Sequence, residues 1–154
     1  MDMPFDRMAK AVDMLAATID EEVIVQTGFT EYNYKKAHAF DFCKREEMQD
    51  YISKASVLIF QGGWGAISEA MEKGKRIVVI PRKEGTEHIH DQFQLIRKLD
   101  SIGCVIGVFD ENDLPSAVER AKTFEFKTIS KGNAESIIRQ RLEQWFPTSS
   151  RRIS

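Results

Sequence analysis

The chain has 154 residues, 42% of them hydrophobic, with 22 Lys and Arg against 24 Asp and Glu for a formal net charge of −2. That length suits one domain able to bury a core without metal or disulfide staples, and the lack of a basic excess argues against nucleic acid as a partner. No apolar run approaches the roughly 20 residues that cross a bilayer, and the start lacks the apolar core of a signal peptide. Cys43 and Cys104 have no C-x-x-C or Cys/His ligand spacing, which predicts two buried free thiols in a reducing cytosol.

In chain order, Phe5, Met8, Val12, Leu15 and Ile19 recur at helical spacing and predict an amphipathic helix over 5–19. Glu22 to Thr27 reads as a short strand closed by Gly28. Segment 29–42 is ambiguous: Tyr32 and Tyr34 alternate, and Ala39 to Phe42 is compatible with a strand. Lys44 to Ala55 is helical in pattern, with Met48, Tyr51 and Ile52 on one face. Val57 to Phe60 and Ile77 to Ile80 are continuous apolar runs, as parallel strands covered on both faces require. Between them lies a helix whose Ile67, Ala70 and Met71 face the core and which Gly74 closes. Pro81 stops the second run. Ile89, Phe93, Ile96 and Leu99 define another helix ending near Gly103, followed by a strand at Cys104 to Val108 and a helix over Asp113 to Lys122. Ala134, Ile137, Ile138, Leu142, Trp145 and Phe146 give a last helix, and the polar, basic stretch 147–154 reads as a disordered tail, leaving one domain over 1–146. The alternation predicts an α/β fold, a doubly wound Rossmann-like parallel sheet. Such a fold begins with a strand, whereas here a helix pattern comes first: either the start of this sequence omits the leading strand or the sheet is completed in another way.

The junction Phe60-Gln61-Gly62-Gly63-Trp64-Gly65-Ala66 carries the chemistry. Glycines let backbone approach a ligand closely, and the first amides of a helix point outward with the positive end of its dipole, which suits a phosphate. No lysine follows as a P-loop requires, and the order is not G-x-G-x-x-G. From the loop alone, a phosphate site and a tight structural turn both stand.

The order strand, glycine loop, helix with Glu69, strand, Pro81-Arg82, charged loop and Asp91-Gln92 opening a helix resembles the donor-binding C-terminal domain of glycosyltransferase family 28. The likeness covers Met3 to about Leu142 and is reinforced by Pro4-Phe5-Asp6-Arg7 with Ala11-Val12-Asp13, by Glu22 to Gly28, and by Glu87-His88. It is nearest to the small stand-alone subunits of bacterial exopolysaccharide synthesis and of the eukaryotic dolichol-linked N-acetylglucosamine transferase. The resemblance implies the donor-binding subunit of a two-component inverting transferase, moving a sugar from a UDP-sugar to a polyprenyl-diphosphate-linked acceptor. It implies no cofactor and no metal, a cytoplasmic location, and membrane contact only through a membrane-anchored acceptor-binding partner, for which the terminal helix with Trp145 and Phe146 is a natural contact.

Onto this chain the resemblance puts the diphosphate at the amides of Gly63, Trp64 and Gly65, within the loop Gln61 to Gly65. Glu69 lies off the apolar helix face and would accept ribose hydroxyls, against a plain solvated carboxylate. Asp91 and Gln92 would meet the donor sugar, with a helix-capping role competing at Asp91. Arg82, with Lys83, would offset diphosphate charge, or belong to a solvated loop. Glu87 matches the family's Glu-His pair, and His88 is the nearest candidate for a general base. Trp64 reads as a packing residue. Three departures count against catalysis: the lacking first strand, Gln61 where the family carries His, and Ala66 where it carries Ser or Thr. They keep a second reading open, a noncatalytic enhancer or stabiliser of a membrane-associated transferase.

Overall fold

A computed structural model describes residues 3–88 and 91–129, together with positions 136, 140 and 141. Helix α1 (Asp6–Ala16) buries Ala9, Ala11, Val12, Asp13 and Leu15. It stops three residues short of the expected end, and Ile19 reaches the same core from the turn that follows. Strand β1 (Ile24–Gln26) pairs in parallel with β2 (His38–Phe40), Ile24 opposite His38, which resolves the ambiguous segment as a strand starting one residue earlier than Ala39. Helix α2 (Arg45–Lys54) buries no residue, and its Tyr51 stacks on Phe40 with ring centres 5.2 Å apart.

The remaining elements are β3 (Leu58–Gln61), α3 (Trp64–Glu72), β4 (Ile77–Ile80), α4 (Phe93–Ser101), β5 (Ile106–Gly107) and α5 (Leu114–Thr123), the last entered through a 3-10 turn at Glu111–Asp113. Helix α4 therefore starts at Phe93. Ile89 lies outside the described residues, as do most of the expected last helix, with Trp145 and Phe146, and the expected tail over 147–154; positions 136, 140 and 141 have helical backbone.

Strand β4 explains why its sequence shows no alternation. Val78 and Ile80 enter one core with α1 and α5, while Ile77 and Val79 enter a second core with α3 and α4, so every residue of the strand is buried. Each such side chain stabilises the fold by about 1.5–3 kcal/mol relative to exposure. Gly74 closes α3 in the left-handed conformation (φ 65°), where its amide meets the Met71 carbonyl and that of Lys75 meets the Ala70 carbonyl, both at 3.0 Å.

Among the described residues all pairings are parallel, as the doubly wound pattern requires, but they form two open sheets, β1-β2 and β3-β4-β5, rather than one. The division falls between β1 and β3. The cysteines are both free; Cys104 is buried as expected, but Cys43 is only half-buried, because it lies between β2 and α2 in a stretch that contributes nothing to either core. Among the described residues no helix is long and apolar enough to cross a membrane.

Candidate functional site

Because β3 and β4 run parallel in register, Gln61 opposite Ile80, the glycine loop and the Pro81-Arg82 turn leave the sheet at the same edge. At that edge the backbone turns sharply: the Gly63 amide donates to the Gln61 carbonyl at 2.8 Å, and Gly63 then takes the N-cap position of α3 with extended dihedrals (φ −72°, ψ 122°). Gly63 has no side chain with which to cap this helix, and its first turn holds no acidic residue. The amides of Trp64, Gly65 and Ala66 have no hydrogen-bond partner among the described residues. They are the donors that any helix leaves unpaired at its start, and they carry the positive end of its dipole. A Cβ placed at Gly63 or Gly65 would meet nothing within 4 Å. Of the three amides expected to face phosphate, Gly63's is thus engaged by the Gln61 carbonyl, while those of Trp64 and Gly65, with Ala66's, have no partner among the described residues.

Beneath the loop lies a polar network. Gly62 is buried against Gln92, whose Oε1 accepts from the Arg82 amide at 2.9 Å. The Arg82 side chain is buried, 8% exposed, and its guanidinium donates to the Gln61 side chain, to the Met3 carbonyl at 2.8 Å and to the Glu87 carbonyl at 3.1 Å while lying 4.6 Å over the Phe5 ring. Burial pulls its pKa below the ordinary arginine value, partly offset by the Glu87 charge. Arg82 thus clamps the N-terminal segment and loop 83–88 to the end of β4.

Arg7 completes the network from α1. Its Nε and Nη2 grip both carboxylate oxygens of Glu87 at 3.1 and 2.9 Å, Nη2 also donates to the Pro81 carbonyl at 2.9 Å, and Nη1 reaches Glu111 at 3.2 Å. Burial opposes the charge on Glu87, yet the Arg7 fork and the Lys83 amide at 2.8 Å outweigh it and hold the carboxyl below its usual range. The Glu87-His88 pair therefore divides its work: Glu87 is engaged internally, and His88, half-buried, closes the loop through its backbone, its amide donating to the Lys83 carbonyl at 3.1 Å and its carbonyl accepting from Gly85 at 2.8 Å.

Asp91, one residue ahead of the N-cap Gln92, accepts from the amide of Phe93, the first residue of α4, at 2.8 Å. Glu69 stands apart from this cluster, on the side of α3 facing α2, where Gln49 donates to it at 2.7 Å and Lys73 at 3.0 Å; these two lower its pKa. Trp64 is half-buried against the α3-α4 core, which fits the packing reading. The edge thus joins Gln61, Gly62, Gly63, Trp64, Gly65, Arg82, Glu87 and Gln92, and leaves Glu69 about a turn and a half further along α3.

Two organising residues had no assigned role in the sequence. One is Arg7. The other is Asp13, buried on α1, whose carboxylate accepts from the amides of Lys35, Lys36 and Ala37 at 2.8–3.1 Å. A sequence signal existed for it: Asp13 falls four residues after Ala9, on the face α1 buries.

The fold is a Rossmann-like α/β domain presenting uncapped helix amides at the carboxyl edge of its parallel sheet, where such folds bind anionic ligands. Residues 5–141 match the Glycosyltransferase family 28 C-terminal domain, and the chain belongs to that family. It is a glycosyltransferase domain of the kind that holds a nucleotide-sugar donor. A search of curated proteins finds no match.

Proposed function

We propose that this domain is the donor-binding half of a two-component inverting glycosyltransferase that transfers a sugar from a UDP-sugar to a polyprenyl-diphosphate-linked acceptor. The observation that supports the reading is the start of α3: the amides of Trp64, Gly65 and Ala66 are unpaired among the described residues, and the N-cap Gly63 has no side chain to occupy them. In a direct displacement these amides and the helix dipole would stabilise the charge that develops on the departing UDP, the task that a metal performs elsewhere. The Arg7, Glu87, Arg82 and Gln92 network acts by holding the loop and β4 end in place, so the cationic groups contribute position more than direct charge. The acceptor and the base that deprotonates it belong to the membrane-anchored partner, with His88 the candidate if this chain supplies the base. The domain works at the cytoplasmic face of a membrane, attached through that partner.

The enhancer reading is favoured by one feature: Gln61 and Gln92, which border the loop, are both engaged with Arg82. Isothermal titration of UDP into the purified chain separates the two. A donor domain gives saturable heat that Glu69→Ala diminishes; an enhancer gives none.

A further inference from the structure

Strand alternation puts Gln61 and Arg82 on one face of the sheet. Ile59 of β3 and Val78 and Ile80 of β4 enter the core shared with α1. Gln61 and Arg82, each two residues further along, continue on that side, and the guanidinium lies over the Phe5 ring at the start of α1. There Arg82 Nε donates to the Gln61 side chain. An arginine side chain carries only donors, so the atom it meets is the carboxamide oxygen, Oε1. Gln61 is exposed, and its Nε2 has no partner among the described residues. Its backbone carbonyl meanwhile holds the Gly63 amide at 2.8 Å, so the same residue turns the chain into α3. Among the described residues no carboxylate bonds to the Arg82 side chain: its other acceptors are the carbonyls of Met3, Pro4 and Glu87, and both carboxylate oxygens of Glu87 are gripped by Arg7.

Resting on the reading of this edge as a diphosphate site, we infer that Arg82 is a positioning residue that fixes the polarity of Gln61 and makes it a specificity-determining contact: oxygen inward, NH2 outward, a donor for an anionic oxygen at the entry to α3. A free carboxamide offers an acceptor at one end and donors at the other, and turns to suit either kind of ligand. With its oxygen held by a buried cation, this one is left only its donors, and a bond from a charged group polarises the amide toward a stronger donation. The unpaired amides of Trp64, Gly65 and Ala66 are donors too. Gln61 thus joins a set whose common partner is an oxyanion and which gives a hydroxyl or amine no acceptor. Engagement with Arg82 takes the Gln61 oxygen and leaves its NH2 for the ligand. A neutral imidazole at position 61 reproduces this polarity, one nitrogen accepting and the other donating, whereas a carboxylate has no donor at either oxygen.

The test compares the full chain with Gln61→Glu, Gln61→His and Arg82→Lys at pH 8, where an imidazole is mainly neutral, by thermal melts, calorimetric titration of UDP and nitrogen-15 NMR of the side-chain amides. Gln61→Glu pairs with Arg82 and should melt no lower than the parent, yet lose UDP affinity by at least about tenfold, while Gln61→His should stay within about threefold of the parent. The Gln61 NH2 signals, identified by their disappearance in Gln61→Glu, should move when UDP is added to the parent and cease to respond in Arg82→Lys. Parent-like affinity in Gln61→Glu, or NH2 signals that stay still at saturating UDP, would remove Gln61 as a contact. Loss of affinity in Gln61→His in step with a lower melting temperature would make the side chain a structural one, and an undiminished NH2 response in Arg82→Lys would remove Arg82 as its guide. Any of these in a parent that binds UDP overturns the inference alone. No saturable binding by the parent overturns it together with the donor reading.

Discussion

Gln92 occupies the space that a side chain at position 62 would need: a Cβ added to Gly62 would stand 2.5 Å from Gln92 Oε1 and 2.9 Å from Gln92 Cβ. The oxygen cannot swing aside without abandoning the Arg82 amide, and the Cβ belongs to a buried helix start. Gly62→Ala should therefore destabilise the domain by about 1–3 kcal/mol through overpacking, measured by urea denaturation. Gly63→Ala, where nothing lies within 4 Å, should cost much less. Equal costs at the two positions would contradict the packing described.

Arg7 and Glu87 form a two-pronged pair with side-chain exposures of 11% and 16%. Truncating Arg7 strands Glu87 beside the sheet end, so Arg7→Ala should cost about 1.5–3 kcal/mol, the scale of a hydrogen bond to a charged group. Arg7→Lys should recover only part of this, since an ammonium cannot span both oxygens. Chemical denaturation of both variants checks the ordering, and a lysine variant as stable as the parent would refute the bidentate role.

Asp13 makes stability depend on pH. Burial disfavours its charge, but three amides and Lys35 more than offset this, so the folded pKa lies below the ordinary aspartate value. For a lowered carboxylate the contribution to stability is complete above the unfolded pKa and is lost as pH falls through the folded one. The chain should thus lose stability on acidification below the usual aspartate range, and Asp13→Asn should start less stable, by about 1–3 kcal/mol, with a flatter acid profile. Melting curves across that range test it, and parallel profiles for the two proteins would remove Asp13 as the cause.

The parts legible in the sequence were those fixed by local rules. The unbroken apolar runs at 57–60 and 77–80 reported strands covered on both faces, and Gly74 reported a helix end, because burial pattern and backbone handedness are written residue by residue. Segment 29–42 was not legible, since β2 exists by pairing with β1 and by the Asp13 carboxylate gathering Lys35 to Ala37, a contact between residues more than twenty positions apart. At the site, the glycine loop was recognisable as a helix entry, but its inward-facing partners were not. Arg82 reads as a loop cation by composition and is in fact a buried clamp, because Phe5, Met3 and Gln61 converge on it only in three dimensions.

The start of α3 offers a substitution whose effects on stability and binding should run in opposite directions. Gly65 lies in the first helical turn with open space beside it, and that turn contains no acidic residue. Gly65→Asp places a carboxylate where the helix dipole favours negative charge, so the helix should gain about 0.3–1 kcal/mol. The same carboxylate would occupy the field and the amides proposed for the pyrophosphate and repel it, so UDP affinity should fall by at least about tenfold, which is 1.4 kcal/mol. Thermal melts and calorimetric titration on one preparation give both readouts. A variant that is more stable yet binds UDP as the parent does would place the diphosphate elsewhere. One that loses both would mean that Gly65 serves the fold alone.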